Sequence, residues 1–135
     1  MCRLLAWIWC FPQELMGLVV RVVTRARYKI GGYYEYGVKS GSLSLGTYVF
    51  LCPSHWGDER VLAHERGHVE QSWRLGWFYL LVVGLPSVIW AGCFRKWRKE
   101  RGVSYYAFWT ERWADELGGV KEILERQAEG GEHEA

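Results

Sequence analysis

Hydrophobic and polar positions fall along the chain in stretches of different period. Residues 15–23 are apolar except for Arg21, behind Pro12, Gln13 and Glu14 and ahead of Arg25, Arg27 and Lys29. This predicts an amphipathic or interfacial helix starting near Pro12 within an apolar and basic N-terminal segment, residues 1–29. Pro12 and Glu14 count against a membrane span, and no small-residue cleavage site marks a signal peptide. A buried helix of a soluble domain is the alternative.

From residue 30 the period shortens. Gly31-Gly32 breaks the helix, Tyr33-Tyr34-Glu35-Tyr36 is strand-like, and Lys39-Ser40-Gly41-Ser42 supplies turn chemistry before the apolar positions of residues 43–51. The pattern predicts a short β-hairpin or small sheet. Pro53-Ser54 and Gly57-Asp58 end it and offer caps for a helix over residues 58–75, stopped at Gly76. Residues 75–94 carry no charge over twenty positions, long enough to cross a bilayer. Ser104 is a suitable cap for a helix over 105–117, closed by Gly118-Gly119. The sum is one α+β domain, residues 1–126, and an acidic, disordered tail over 127–135.

Chemistry concentrates in the helix over 58–75. His64-Glu65-Arg66-Gly67-His68 reads H-E-x-x-H. Residues four apart share a helical face, so His64 and His68 can offer two imidazole nitrogens to one metal ion. Glu65 lies one position round, within reach of a water beside that ion. Zinc accepts such ligands and needs a third from the protein, with a fourth position open. Two histidines bracketing a glutamate are hard to bury without a metal or charge partner. His55, just ahead, reads as a loop residue rather than a transition-state donor.

Downstream, Glu111-Arg112-Trp113-Ala114-Asp115 places two carboxylates four apart. With H-E-x-x-H this resembles the gluzincin class of zinc metallopeptidases, over residues 64–72 and 105–120. The resemblance implies a small zincin-like fold of the membrane-associated type, with His64, His68 and Glu111 binding Zn2+. It further implies Glu65 as the catalytic base and Asp115 as the group orienting His64. Tyr105, Tyr106 and Arg112 are the candidates to stabilise an oxyanion. In zincin-like peptidases an edge strand holds the substrate extended, and residues 43–51 are placed for that role.

Such a site constrains residues 75–94. If His68 and Glu111 share one ion, the chain on both sides of the apolar segment must return to one place, whereas a straight span separates its ends by roughly 30 Å. Gly84-Leu85-Pro86-Ser87 lies at its middle, where proline breaks a helix. The expectation is an apolar hairpin, either re-entrant in one leaflet or buried in the core, in preference to a single pass.

Composition adds the surroundings. Half the residues are hydrophobic, with 9 Trp and 8 Tyr, and the net charge of +2 is too small to argue for nucleic acid. The positive charge is clustered, at Arg21 to Lys29 and again at Arg95, Lys96, Arg98, Lys99 and Arg101. Each cluster follows an apolar stretch, the pattern of a chain meeting a lipid headgroup surface from the cytoplasmic side. Cys2, Cys10, Cys52 and Cys93 form no C-x-x-C pair and read as buried free thiols. The chain reads as a membrane-associated zinc peptidase acting on a peptide or protein substrate. The alternative is a non-catalytic membrane-associated protein with a structural or vestigial metal site, its fourth ligand drawn from His55, Asp115 or a cysteine.

Overall fold

The computed structural model describes residues 3–132. It is an α+β fold in which helices α1 (Arg3–Trp9) and α2 (Phe11–Thr24) precede strands β1 (Arg27–Lys29), β2 (Tyr33–Glu35), β3 (Leu43–Leu45) and β4 (Tyr48–Leu51). Helices α3 (Glu59–Leu75), α4 (Leu85–Gly92), α5 (Arg95–Arg101), α6 (Trp109–Gly118) and α7 (Val120–Glu132) follow. The sheet has the order β1-β2-β4-β3. The outer pairs are antiparallel and β2–β4 is parallel. The polypeptide therefore reaches β4 through the β3 hairpin and leaves β3 at the edge. The sheet begins at Arg27, inside the basic cluster expected at the end of a helix, because α2 stops at Thr24 with Arg25 in a left-handed cap.

Alternation along β4 separates two layers. Val49 and Leu51 pack with Val61 of α3, while Phe50 and Cys52 pack with Tyr36 on the opposite face, under Val20 of α2. The sheet is thus sandwiched between α2 and α3. Asp58 caps α3 by accepting a hydrogen bond from the Val61 N–H at 3.1 Å, and Gly76, at φ 52°, ends it. At that φ a side chain is strained, so the glycine stop is a backbone requirement.

Helices α3 and α6 form the closest pair. A methyl group at Gly67 would land on the carbonyl oxygen of Ala114, and one at Gly118 on that of Ala63. Glycine on one helix facing alanine on the other lets the backbones touch. Helix α7 continues past Val120 and Ile123, which pack against Ala63. It runs to Glu132 where the sequence predicted disorder from residue 127, since the anchored amphipathic turn carries the helix onward. The rest of the predicted tail, 133–135, lies outside the described residues.

The apolar segment is not itself the expected hairpin: it runs as one helical stretch, Leu80–Gly92, that folds back at its junction with the helix before it. The helical pair Glu59–Phe78 and Leu80–Gly92 bends by 117°, so the hinge lies at Gly76 to Tyr79. Pro86 sits in the first turn of α4, directly after a π-helical turn over Leu80–Gly84. Pro86 lacks a backbone donor, but near the start of α4 and after the wider π-turn it is accommodated, and the helix passes through it. Among the described residues no single helix is long and apolar enough to cross a membrane.

Helix α2 buries polar positions and exposes apolar ones. Gln13, Glu14 and Gly17 of α2 are buried, while Leu15, Met16, Val19, Val22 and Val23 are exposed. Gln13 donates to the Gly76 carbonyl at 2.7 Å, and Glu14 accepts from the Thr47 N–H and hydroxyl at 2.7 and 2.9 Å. Trp77, Phe78, Leu81, Leu85 and Val88 add to the exposed apolar surface. Cys10 and Cys52 are buried free thiols, whereas Cys93 is exposed at the C-terminal cap of α4; Cys2 lies outside the described residues.

Candidate metal centre

One carboxylate oxygen joins the two motifs. Glu111 Oε2 lies 3.2 Å from His64 Nε2 and 3.2 Å from His68 Nε2. The four-residue spacing on α3 puts both rings on one face, and the close α3–α6 contact carries Glu111 up to them. All three ligand atoms lie within 4.8 Å of one another and all three residues are buried. No other His, Cys, Asp or Glu among the described residues joins this group.

The outer nitrogens fix what the inner ones present. His64 Nδ1 is 2.7 Å from Asp115 Oδ1, and His68 Nδ1 is 2.8 Å from Gln71 Oε1. The Gln71 amide is itself fixed, donating from Nε2 to the Thr110 carbonyl at 2.8 Å. With both Nδ1 atoms donating, each Nε2 turns a lone pair toward an anionic oxygen. Lone pairs facing a carboxylate repel, so the arrangement demands a proton or a metal ion between them. A tetrahedral ion with ligand bonds of about 2.0 Å holds neighbouring ligands about 3.3 Å apart, close to the 3.2 Å observed. These residues fit a metal ion.

Electrostatics point the same way. Burial works to lower the His64 pKa, but the hydrogen bonds to Asp115 and Glu111 and the charges of Glu65 and Glu111 raise it to about 9. His68 is likewise raised, burial being outweighed by Glu111 and Glu65. Glu111 is held well below the usual carboxylate range: burial opposes ionisation, and the hydrogen bonds from both histidines overcome it. The site is built to hold positive charge between its histidines and its carboxylate. Glu111 Oε1 is occupied separately, accepting from Ser87 Oγ at 2.6 Å and Thr110 Oγ1 at 3.2 Å. Ser87 comes from the folded-back apolar segment, which thereby completes the centre.

Glu65 stands at the cleft beside the centre. Ser44 Oγ, on edge strand β3, lies 2.7 Å from Glu65 Oε2 and 2.8 Å from the Glu65 carbonyl oxygen. A cleft of about 670 Å³ opens over His64 and Glu65, with Tyr105 and Tyr106 in its wall and His55 and Ser42 on its rim. An apolar cavity of about 560 Å³ on the other side is lined by Leu43, Leu45, Leu80, Leu85 and Val88, and shares Glu65 and Tyr105 with the cleft. Tyr106 meets the His64 ring edge-on at 5.0 Å, and the Arg60 guanidinium lies 5.1 Å from the Tyr106 ring centre.

Of the sequence-predicted residues, His64, His68, Glu111, Glu65, Asp115, Tyr105 and Tyr106 are brought together. Arg112 is not. It is exposed and outside the cleft, because one helical step from Glu111 turns the side chain about 100° away from the centre. Residues 105–107 form a single 3-10 turn capped by Ser104 Oγ, which accepts from the Tyr106 N–H at 3.2 Å, and α6 begins only at Trp109. His55 belongs to the turn Pro53–His55, its Nδ1 held 2.8 Å from Ser42 Oγ and 3.2 Å from Cys52 Sγ. Ser44, Gln71, Ser87 and Thr110 were not predicted. Gln71 alone carried a signal, three residues after His68 on the same face.

Comparisons with protein-family models, with curated proteins and with solved structures find no match.

Proposed function

We propose that the protein is a zinc-dependent metallopeptidase of gluzincin-like, zincin-like type, working at a membrane surface. The observation that carries this is the single oxygen of Glu111 set 3.2 Å from both His64 Nε2 and His68 Nε2, with Glu65 beside it in an open cleft. Zinc held by these three side chains supplies a Lewis acid for a peptide carbonyl and lowers the pKa of water. Glu65, its carboxylate steadied by Ser44, takes the proton of the attacking water and passes it to the leaving amine. Tyr105 and Tyr106, both in the cleft wall, would donate to the oxyanion that develops. Asp115 and Gln71 hold the histidine tautomers. Edge strand β3 carries Ser44 and offers its free edge to an extended substrate.

Openness favours a catalytic centre over a structural or vestigial one. A structural zinc site closes with four protein ligands, and here the group contains three and borders a cleft. Membrane association rests on the outward apolar faces of α2 and residues 77–89. A surface of that kind is buried by lipid or by another protein in most settings.

The test is elemental analysis of detergent-purified protein together with cleavage of an unstructured protein. Wild type is expected to hold about one zinc per chain, Glu65→Gln to keep the metal with at least about 10³-fold slower cleavage, and Glu111→Ala to lose it. Wild type that binds no supplied zinc would falsify the proposal.

A further inference from the structure

Arg98 lines the cleft with its guanidinium held between aromatic rings. Its guanidinium lies 5.2 Å from the Trp90 ring centre and 5.3 Å from that of Tyr105, and Nη2 donates to the Ala91 carbonyl at 3.3 Å. Two aromatic faces and a backbone oxygen thus fix the plane of the group. Its Nε is buried and has no hydrogen-bond partner. No carboxylate among the described residues pairs with it, although five other Lys or Arg side chains do pair with carboxylates. The guanidinium thus brings to the cleft a positive charge that no carboxylate among the described residues neutralises.

The surroundings name the ligand's charge. Arg95, Lys99 and Lys39 line the same cleft as Arg98, and the one acidic residue in that lining is Glu65 at the centre itself. Beyond the centre the wall turns apolar, through Leu43, Leu45 and Val88. Tyr105, with Arg98 over its ring, lines both the cleft and the apolar cavity and so joins the basic wall to the centre.

We propose that Arg98, with Arg95, Lys99 and Lys39 around it, is a carboxylate-recognition site that sets substrate specificity. It receives a carboxylate carried on one side of the bond to be cut, while apolar residues on the other side of that bond occupy the cavity of Leu43, Leu45 and Val88. The inference rests on the peptidase reading for the bond and on the cleft alone for the ligand. A rigid planar fork favours a carboxylate over a diffuse negative surface. That carboxylate can be a chain terminus or an Asp or Glu side chain.

The experiment uses full-length, zinc-loaded Glu65→Gln protein in detergent and labelled apolar peptides read by fluorescence anisotropy. One set ends in a free carboxylate, a second is the same peptides amidated, and a third is amidated with an internal Asp or Glu. Parallel cleavage by wild type is followed by mass spectrometry. Carboxylate-bearing peptides are expected to bind at least about tenfold more tightly than neutral ones, as a gained charge-assisted pair implies. The first and third sets separate the terminus from the side chain. Arg98→Lys should erase most of the preference and Arg98→Glu should reverse it toward lysine-bearing peptides. Arg95→Glu, at an exposed position outside the aromatic stack, should weaken it without disturbing the fold. Equal binding of carboxylate and amide peptides overturns the proposal. So does a set of Arg98 variants, folded by zinc content and circular dichroism, that lowers binding to phosphatidylglycerol vesicles but leaves the peptide preference intact. A preference in binding without cleavage by wild type leaves the carboxylate site standing and removes the peptidase reading.

Discussion

Gly67 meets the backbone of Ala114 so closely that no side chain fits between them. The contact sets the distance between α3 and α6, and with it the reach of Glu111 to the two histidines. The x-x of H-E-x-x-H is therefore not free here, since one of its positions is the floor of a helix crossing.

Gly67→Ala should accordingly cost at least about 3 kcal/mol, as an overpacked methyl group forces the two helices apart. Urea denaturation gives the loss, and elemental analysis should show the metal lost with it. Ala63→Gly, which removes volume at the neighbouring crossing with Gly118, should retain the metal. A fully stable, metal-replete Gly67→Ala protein would mean that the helices cross elsewhere.

Asp115→Ala and Gln71→Leu should each weaken metal binding by about 10–100-fold, because each frees a histidine Nδ1 that now fixes its tautomer. Gln71→Leu should also reduce stability by about 1–3 kcal/mol by stripping the buried Thr110 carbonyl of its donor. Competition with a zinc chelator measures the first effect and thermal melting the second.

The metal-free and metal-loaded proteins should differ in pH dependence. His64 rises from its ordinary 6.5 to about 9 in the fold. A raised pKa stabilises the folded state below the ordinary value, and that contribution disappears as pH climbs through about 9. Glu111, held low, acts oppositely, and its contribution is lost as pH falls below the ordinary carboxylate range. Melting temperature of chelator-treated protein should thus fall from pH 7 toward 9.5, and that of the loaded protein should fall less. Metal uptake near pH 7 should release protons and tighten with rising pH, which calorimetry in buffers of different ionisation enthalpy would detect.

Trp77→Glu with Phe78→Glu should leave the metal centre intact and reduce co-sedimentation with phosphatidylglycerol vesicles by at least about tenfold. Both side chains are more than half exposed, at 55% and 65%, and the fold gives up the Trp77 Nε1 hydrogen bond to the Ile8 carbonyl and its stacking on Phe11. Wild type that ignores such vesicles would remove the membrane reading and leave the apolar faces to a protein partner.

Much of the centre was legible in the chain because its residues lie on helices, where period fixes direction. Four-residue spacing is enough to co-orient His64 with His68, and Glu111 with Asp115. The same rule turns Arg112 outward, although its neighbours made it a candidate. The small sheet before α3 was readable from the Gly31-Gly32 break and the alternation at residues 43–51. Its order was not, because the parallel β2–β4 pairing depends on contacts between residues sixteen positions apart.

By itself, then, the sequence determined most of the elements, the facing ligand pairs and the need for the apolar segment to return. Those follow from local backbone geometry and from chain connectivity. Only the tertiary structure decided the start of α6, the helix beyond residue 127 and where the apolar segment turns, at Gly76 to Tyr79 rather than Pro86, since a proline near the start of a helix is tolerated. It alone placed Ser87 on Glu111, Ser44 on Glu65 and Arg98 in the cleft. Each of those pairings is a packing result between elements distant in the chain, and no spacing within one element encodes it.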